Sequence, residues 1–528
     1  MLFPPPSSKK KKKKKKGAGS LPFYNGRTLV GGHDNFVVVT FNYRLGPLGL
    51  LCHPAVGETM LFMEDQRLAY LWVQEHIRAF GGDPQRVTLV GESAGGDSTC
   101  LHSFSPRSAG LYRSLIIESG DCGQWNRPKS EALALGATFA ANLGCNQSSL
   151  DAQALCMRSK SLAQVYAAST AMAGDDYINF RQPPLPPPWE PWIDGVNLLK
   201  PPLVSLALGE WVPVPTLLGA NEDSFSLVVW TAQLLQMFTT TSQAVNGLLA
   251  RLADDYIQRA NQNTWPADGF ASAPTVAQQQ STKATLLAEY QTQSVLDVLI
   301  RGGSDWAHLC GTRRMAQGFA AWSPQVFFYS WQHHPSTPGP PFCPLYTGAY
   351  HFSEVPFVFG NPTCLGDPAC TPQFTPSEQS LTTRIQTYWV NFVRYQSPNT
   401  GIATPALVWP PLTAAGDLGM VFNLTDQVES GIDRSQCQLW DQLLLSIPWP
   451  PYTSLTQYGS SSSGSATPSS TSTSSKTSNS STLATAIIVS LVLSSIVTVL
   501  VVYLAQRANW GGARTAPQPV ATSYVLMR

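Results

Sequence analysis

Arg86-Val-Thr-Leu-Val-Gly-Glu-Ser-Ala-Gly-Gly96 decides how this chain is read. It begins as a short β-branched apolar strand and runs without a linker into G-x-S-x-G. A sharp turn from strand to helix lifts a hydroxyl above a sheet and leaves the next backbone N–H facing a reacting oxygen. Ser93 is therefore the candidate nucleophile and Ala94 N–H a candidate oxyanion donor. A bare G-x-S-x-G also fits a glycine-rich turn whose serine caps a helix, so the flanking sequence has to choose between the two.

Outward from that stretch, strand and helix patterns alternate. Phe36 to Phe41 is continuously apolar and β-branched, as a strand buried on both faces would be. Gln66 to Phe80 has helical apolar spacing and stops at Gly81-Gly82. Leu115–Ile117, Val212–Leu218 and Val326–Ser330 read as further strands, residues 228–322 as mostly helical, and Arg384–Tyr395 as a helix. This alternation predicts an α/β domain with a central, mostly parallel sheet. At 528 residues with 43% hydrophobic content the chain can bury a large core.

Asn42-Tyr-Arg-Leu-Gly46, Asp65-Gln-Arg-Leu-Ala69, Trp72-Val-Gln-Glu75 and Ala79-Phe-Gly-Gly-Asp-Pro84 lead in that order into Gly91-Glu-Ser-Ala-Gly95. In this arrangement the chain resembles the type B carboxylesterase/cholinesterase family, to about Trp440. The resemblance implies an α/β-hydrolase fold and hydrolysis of small carboxylic esters through a serine, with no metal or organic cofactor. The family carries a H-G-G-G loop upstream of N-Y-R-L-G. The match here begins just after that loop, so the domain is expected to be incomplete at its N-terminus.

A serine nucleophile needs a base, and the base needs an orienter. Of eight histidines, His351 stands in His351-Phe-Ser-Glu-Val-Pro-Phe-Val-Phe-Gly360, which resembles the family's histidine segment. The resemblance makes His351 the general base, and Glu92, Ser119 and Glu354 supporting groups around the pair. The acid departs from the pattern. The family has G-x-N-x-x-E after a short strand, whereas Gly219-Ala-Asn-Glu-Asp-Ser224 ends in serine at the glutamate position. Either a small shift of the loop presents Asp223 to His351, or the triad lacks its orienter.

By the same resemblance Cys145–Cys156 and Cys310–Cys437 are disulfides. Cys364 and Cys370 flank an acidic Gly-Pro loop, where they could close a small bridge or stay free thiols. No C-x₂-C pair and no His/Cys cluster points to a metal. Disulfides imply an oxidising compartment, and sequons at Asn146, Asn423 and Asn479 agree with an exterior location.

The ends of the chain read differently. Residues 1–19 form a Pro/Ser/Lys/Gly tail containing the run Lys9–Lys16. Without that run the chain has 26 basic against 33 acidic residues, which argues against a nucleic-acid partner. The hydrolase domain is expected over 20–450 and a Ser/Thr-rich stalk over 451–482. Residues 483–505 are an uncharged apolar run long enough to cross a bilayer. Residues 506–528 carry Arg507, Arg514 and Arg528 without an acidic residue, so the positive-inside rule makes them a cytoplasmic tail. The sequence thus predicts a single-pass type I membrane protein with its domain outside or in a lumen. Two functions fit: an anchored ester hydrolase, or an esterase-like surface protein acting in adhesion or recognition. A homodimer is compatible with either, because family members often associate through helices near the domain end.

Overall fold

A computed structural model describes residues 24–444, apart from 33–35, 125, 174–188, 227–241, 263–274, 291–293, 337–347, 363–371, 402, 404, 414, 415, 417 and 431–434, together with 522–527. Its centre is an eight-stranded sheet of order β1-β8-β2-β3-β4-β5-β6-β7. The strands are β1 (Val37–Asn42), β2 (Val87–Glu92), β3 (Ser114–Glu118), β4 (Thr216–Asn221), β5 (Val326–Trp331), β6 (Gly419–Phe422), β7 (Gln427–Glu429) and β8 (Thr522–Met527). From β2 through β6 neighbours run parallel, and β7 closes that edge antiparallel. Every residue of β2, β3, β4 and β5 is buried, as their uninterrupted apolar runs require.

Boundaries follow local chemistry. The strand expected from Val212 starts at Thr216, after Pro213 and Pro215, which cannot donate to a ladder. The helix expected from Gln66 begins earlier, as α1 (Leu61–His76). It ends in a 3₁₀ turn, Ile77–Phe80, with Gly81 at φ 82°. α2 (Ala94–Ser103) follows the G-x-S-x-G segment. The helical region beyond β4 contains α3 (Ser242–Gln262), α4 (Val276–Tyr290), α5 (Val295–Ser304) and α6 (Cys310–Ala320). One π-helical turn, Asp305–Leu309, joins α5 to α6. α7 (Pro376–Tyr395) starts at a capping box between Thr375 and Glu378, longer than the expected Arg384–Tyr395. α8 (Ser435–Leu444) is tied back to α6 by the Cys310–Cys437 disulfide and by buried bonds from Arg313 and Arg314 to Asp441.

Within residues 506–528, read from the sequence as a cytoplasmic tail, Thr522–Met527 forms a strand of the central sheet. Thr522–Met527 pairs antiparallel with β1 on one side and with β2 on the other. The physical reason is backbone satisfaction. A strand between β1 and β2 supplies partners to two edges whose N–H and C=O groups would otherwise face a gap. Among the described residues no helix is long and apolar enough to cross a membrane. The run 483–505, the stalk and the lysine run lie outside the described residues.

Candidate active site

Ser93 sits between β2 and α2 at φ 59°, ψ −125°, a conformation that costs a non-glycine residue free energy. Its surroundings enforce it. Ser93 N–H donates to Glu118 O on β3 at 2.9 Å, and Ser93 O accepts from Asp97 N–H at 2.9 Å. Only glycine fits at Gly91, because a Cβ there would stand 2.0 Å from Gly95 O. The Cys100–Cys122 disulfide then pins α2 to the turn after β3. This bridge is missing from the sequence-based expectations, and a spacing of 22 residues offers no pattern to find it by. Ala94 opens α2, and the first N–H groups of a helix have no intrahelical acceptor.

His351 is buried at the C-terminal end of β4. Asn221 Nδ2, the last residue of β4, donates to Tyr350 O at 2.8 Å, to Ser353 Oγ at 3.3 Å and to Glu354 Oε2 at 2.5 Å. Trp331 Nε1 donates to the same Ser353 Oγ at 2.8 Å. Asp223 N–H donates to Ala349 O at 3.2 Å, and Asp223 Oδ2 accepts from Ala349 N–H at 3.0 Å. Gly348 makes that approach possible: it sits at φ 47°, and a Cβ would be 2.4 Å from Asp223 Oδ2.

Asp223 therefore grips the backbone of the histidine loop, with His334 Nε2 at 3.5 Å as its second contact. The shift expected to turn Asp223 toward His351 is not seen. Ser224 Oγ takes that place, 3.0 Å from His351 Nδ1. The loop geometry that points Asp223 Oδ2 at Ala349 N–H sends the next side chain into the interior, where Ser224 is fully buried. Ser224 Oγ also lies 2.9 Å from Nδ1 of His308, a residue the sequence did not single out.

The other nitrogen, His351 Nε2, lies 3.1 Å from Glu92 Oε1, close but at an angle unsuited to a hydrogen bond. Among the described residues no hydrogen bond joins Ser93 to His351, so the structure brings the imidazole to the residue beside the serine. Ser119 Oγ is buried without a hydrogen-bond partner among those residues, and its backbone is at φ 51°. Glu92, Glu118 and Glu354 form a buried group of carboxyls. Burial pushes the Glu92 carboxyl well above its ordinary range, reinforced by Glu354, Glu118 and Asp97, and lifts Glu354 to about 8. Burial alone lowers His351 to about 3. The imidazole is thus neutral near pH 7, the protonation state a general base needs.

Two expected disulfides, Cys145–Cys156 and Cys310–Cys437, are formed. Cys364 and Cys370 lie outside the described residues. Asp305 approaches Cys310 and Cys437 in the manner of a metal-ligand group, but both sulfurs are committed to their disulfide. Asn146 is exposed and Asn423 half-buried, and Asn479 lies outside the described residues.

Open α/β sheets take their ligands at the C-terminal ends of the strands. That is where β2 presents Ser93 and where the loop beyond β4 receives His351. The architecture is that of the α/β-hydrolases. Sequence comparison narrows the class: the model of the carboxylesterase family matches residues 14–440, and the chain belongs to that family. It is 30% identical to a cholinesterase of Mus musculus, over 80% of this chain and 67% of the relative. It is 27% identical to a protein of Dictyostelium discoideum named crystal protein, over 81% of this chain and 71% of the relative.

Proposed function

We propose that the chain hydrolyses carboxylic esters through an acyl-serine intermediate. Ser93 Oγ attacks the ester carbonyl, and His351 Nε2 accepts its proton and returns it to the departing alcohol. Water, activated by the same imidazole, then releases the acid and restores Ser93. Ala94 N–H helps to hold the oxyanion. The observation that carries this reading is the strained conformation of Ser93 at φ 59°, fixed by β3 and by close glycine packing. Strain of this kind collects at reacting groups. In this reading the imidazole, now 3.1 Å from Glu92, turns to Ser93, the next residue in the chain. Catalytic hydrogen bonds are often misaligned until a substrate is in place. The test is labelling of the full chain with a fluorophosphonate. The expected result is a covalent adduct on Ser93 that disappears in Ser93→Ala. A well-folded chain that takes up no label rejects the proposal.

A second reading, a recognition protein on the hydrolase scaffold, is favoured by the uncharged Ser224 facing His351 Nδ1. It predicts no labelling and binding to a macromolecular partner instead. Under either reading, the Ser/Thr stalk and the apolar run 483–505 support an anchor holding the domain outside the membrane. In that anchored topology Thr522–Met527 leaves the sheet, because one crossing at 483–505 puts it on the opposite side from β1 and β2. An epitope placed after Arg528 is expected to bind antibody only in permeabilised cells. Staining of intact cells would favour the strand pairing instead.

A further inference from the structure

We infer that His308 is a positioning residue for the base: acting through Ser224, it holds His351 in the tautomer that carries its proton on Nδ1 and leaves Nε2 bare. The inference rests on the ester-hydrolase reading, and it assigns to an uncharged pair the task usually given to a carboxylate.

The geometry is specific. Ser224 Oγ stands between two imidazoles, 3.0 Å from His351 Nδ1 and 2.9 Å from His308 Nδ1. The rings are stacked, with centroids 4.3 Å apart and planes 14° from parallel. All three side chains are buried. A hydroxyl has one proton to donate. Its oxygen could accept from both rings, but among the described residues the two Nδ1 atoms are the only partners of Ser224 Oγ. Its proton is therefore used only when it goes to one ring while the oxygen accepts from the other, and the two histidines then hold opposite tautomers. In one polarity His351 Nδ1–H donates to Ser224 Oγ, whose own proton goes to His308 Nδ1. In the other polarity His351 Nε2 is protonated and is no base.

The facing groups select the first polarity. Both imidazoles are held neutral: burial lowers His308 well below its ordinary value, with His351 adding to the shift, and burial alone lowers His351. Glu92 Oε1 lies 3.1 Å from His351 Nε2, and burial raises its carboxyl well above the ordinary range, which favours the protonated form. No hydrogen bond is formed at that contact, but a small turn of a protonated carboxyl toward the ring would bring its O–H onto a bare nitrogen and would clash with an N–H. Among the described residues no carboxylate bonds to His351 Nδ1: Asp223 is engaged by Ala349 and His334, and Glu354 Oε2 by Asn221.

The fold places His308 with some care. It is carried on the π turn between α5 and α6, a feature often found at functional sites. Ser304 Oγ accepts from Phe225 N–H at 2.9 Å, and Asp305 Oδ2 accepts from Tyr290 Oη at 2.5 Å. The first of these bonds ties the turn to the residue after Ser224, so His308 and Ser224 are held as one unit.

The test uses the full chain, p-nitrophenyl acetate as substrate, and ¹⁵N-histidine NMR. Wild-type protein is expected to show His351 protonated at Nδ1 and His308 unprotonated there. His308→Phe keeps a stacked ring and removes the acceptor nitrogen. It is expected to lower kcat about 10²-fold with KM unchanged. His308→Asn, whose Oδ1 can stand where Nδ1 stood, is expected to recover most of that loss. In a Ser224→Glu background, where a carboxylate meets His351 directly, His308→Phe is expected to change kcat less than about 3-fold. An equal loss in both backgrounds would make His308 a packing residue and overturn the inference, as would a spectrum with His308 protonated at Nδ1. Wild-type protein that neither hydrolyses the ester nor takes a fluorophosphonate sinks the ester reading itself. The NMR result identifies that outcome separately from a failure of the relay.

Discussion

Around Ser93 the chain holds itself over short stretches, whereas around His351 it depends on partners far away in sequence. The nucleophile is fixed by the strand and helix on either side of it, by glycines within a few positions, and by a disulfide spanning 22 residues. The base is fixed by Asn221, 129 residues from its acceptor Tyr350, and by Ser224, which is 127 residues from His351 and 84 from His308. A locally determined turn has few ways to change without breaking. A long-range polar cluster can exchange members while its geometry survives, and here a serine and a second histidine stand where the family has a glutamate.

The largest expected effect belongs to the local side. Ser93→Ala is predicted to lower kcat by about 10⁶-fold, as removal of a nucleophile does in other serine hydrolases, measured by ester hydrolysis on protein whose melting temperature is unchanged. Residual activity within about 10-fold of wild type would move the chemistry to another residue and erase the contrast. On the distant side, Ser224→Glu is predicted to raise kcat, by at least about 10-fold out of the ~10⁴-fold that a triad carboxylate contributes. It also carries a pH signature. A protonated imidazole cannot accept a proton, so activity is lost as pH falls through the pKa of His351. Burial puts that pKa at about 3 in the wild-type chain. A carboxylate opposite Nδ1 favours the imidazolium and raises it. The acid limb of kcat/KM is therefore expected at higher pH in Ser224→Glu than in the wild-type chain, and a limb that stays in place would show that the new carboxylate never reaches the ring.

The same contrast explains what the sequence disclosed. The parallel sheet and the elbow were legible because they are written in contiguous residues: uninterrupted apolar strands, small residues beside Ser93, and Gly81 ending the first helix. His351 was legible through a recognisable segment. The surroundings of His351 were not, because no spacing rule connects Ser224 with a π turn more than 80 residues later. Cys100–Cys122 was hidden in the same way, since pairing between a helix and the turn after the neighbouring strand follows from the fold. Thr522–Met527 was hidden for the opposite reason: its basic, acid-free flanks carry a clear signal, and that signal speaks of a membrane, not of a sheet.

Intermediate in size is the stability carried by Cys100–Cys122. Replacing both cysteines by serine is predicted to cost about 2–5 kcal/mol, seen as a lower denaturation midpoint. Loss of fluorophosphonate reactivity should track that unfolding. Reactivity lost well before unfolding would mean that the bridge sets the elbow itself and not merely the stability of the region around it.

The smallest effect is expected at Asp223, and it tests the comparison most sharply, because the family pattern and the geometry give opposite answers there. If Asp223 served His351 as its acid, Asp223→Asn would cost on the order of 10⁴-fold in kcat. In the structure its carboxylate meets Ala349 N–H and His334 instead. An asparagine oxygen can still accept from Ala349 N–H, so kcat is expected to change less than about 3-fold, and stability to fall by no more than ~1 kcal/mol. The pH dependence separates the two contacts. The His334 side chain is 67% exposed, so its ion pair with Asp223 is weak, but its sign is fixed. The bonds to His334 and Ala349 hold Asp223 below its ordinary value against the pull of burial, and hydrogen bonding to Asp223 holds His334 above its own. The pair's contribution is lost as pH falls through the Asp223 pKa and as pH rises through that of His334. The melting temperatures of wild type and Asp223→Asn should therefore differ most between about pH 4 and pH 6.5, the ordinary values of the two groups, and converge above that window. A difference that persists unchanged to pH 9 would assign the stabilisation to the Ala349 contact alone.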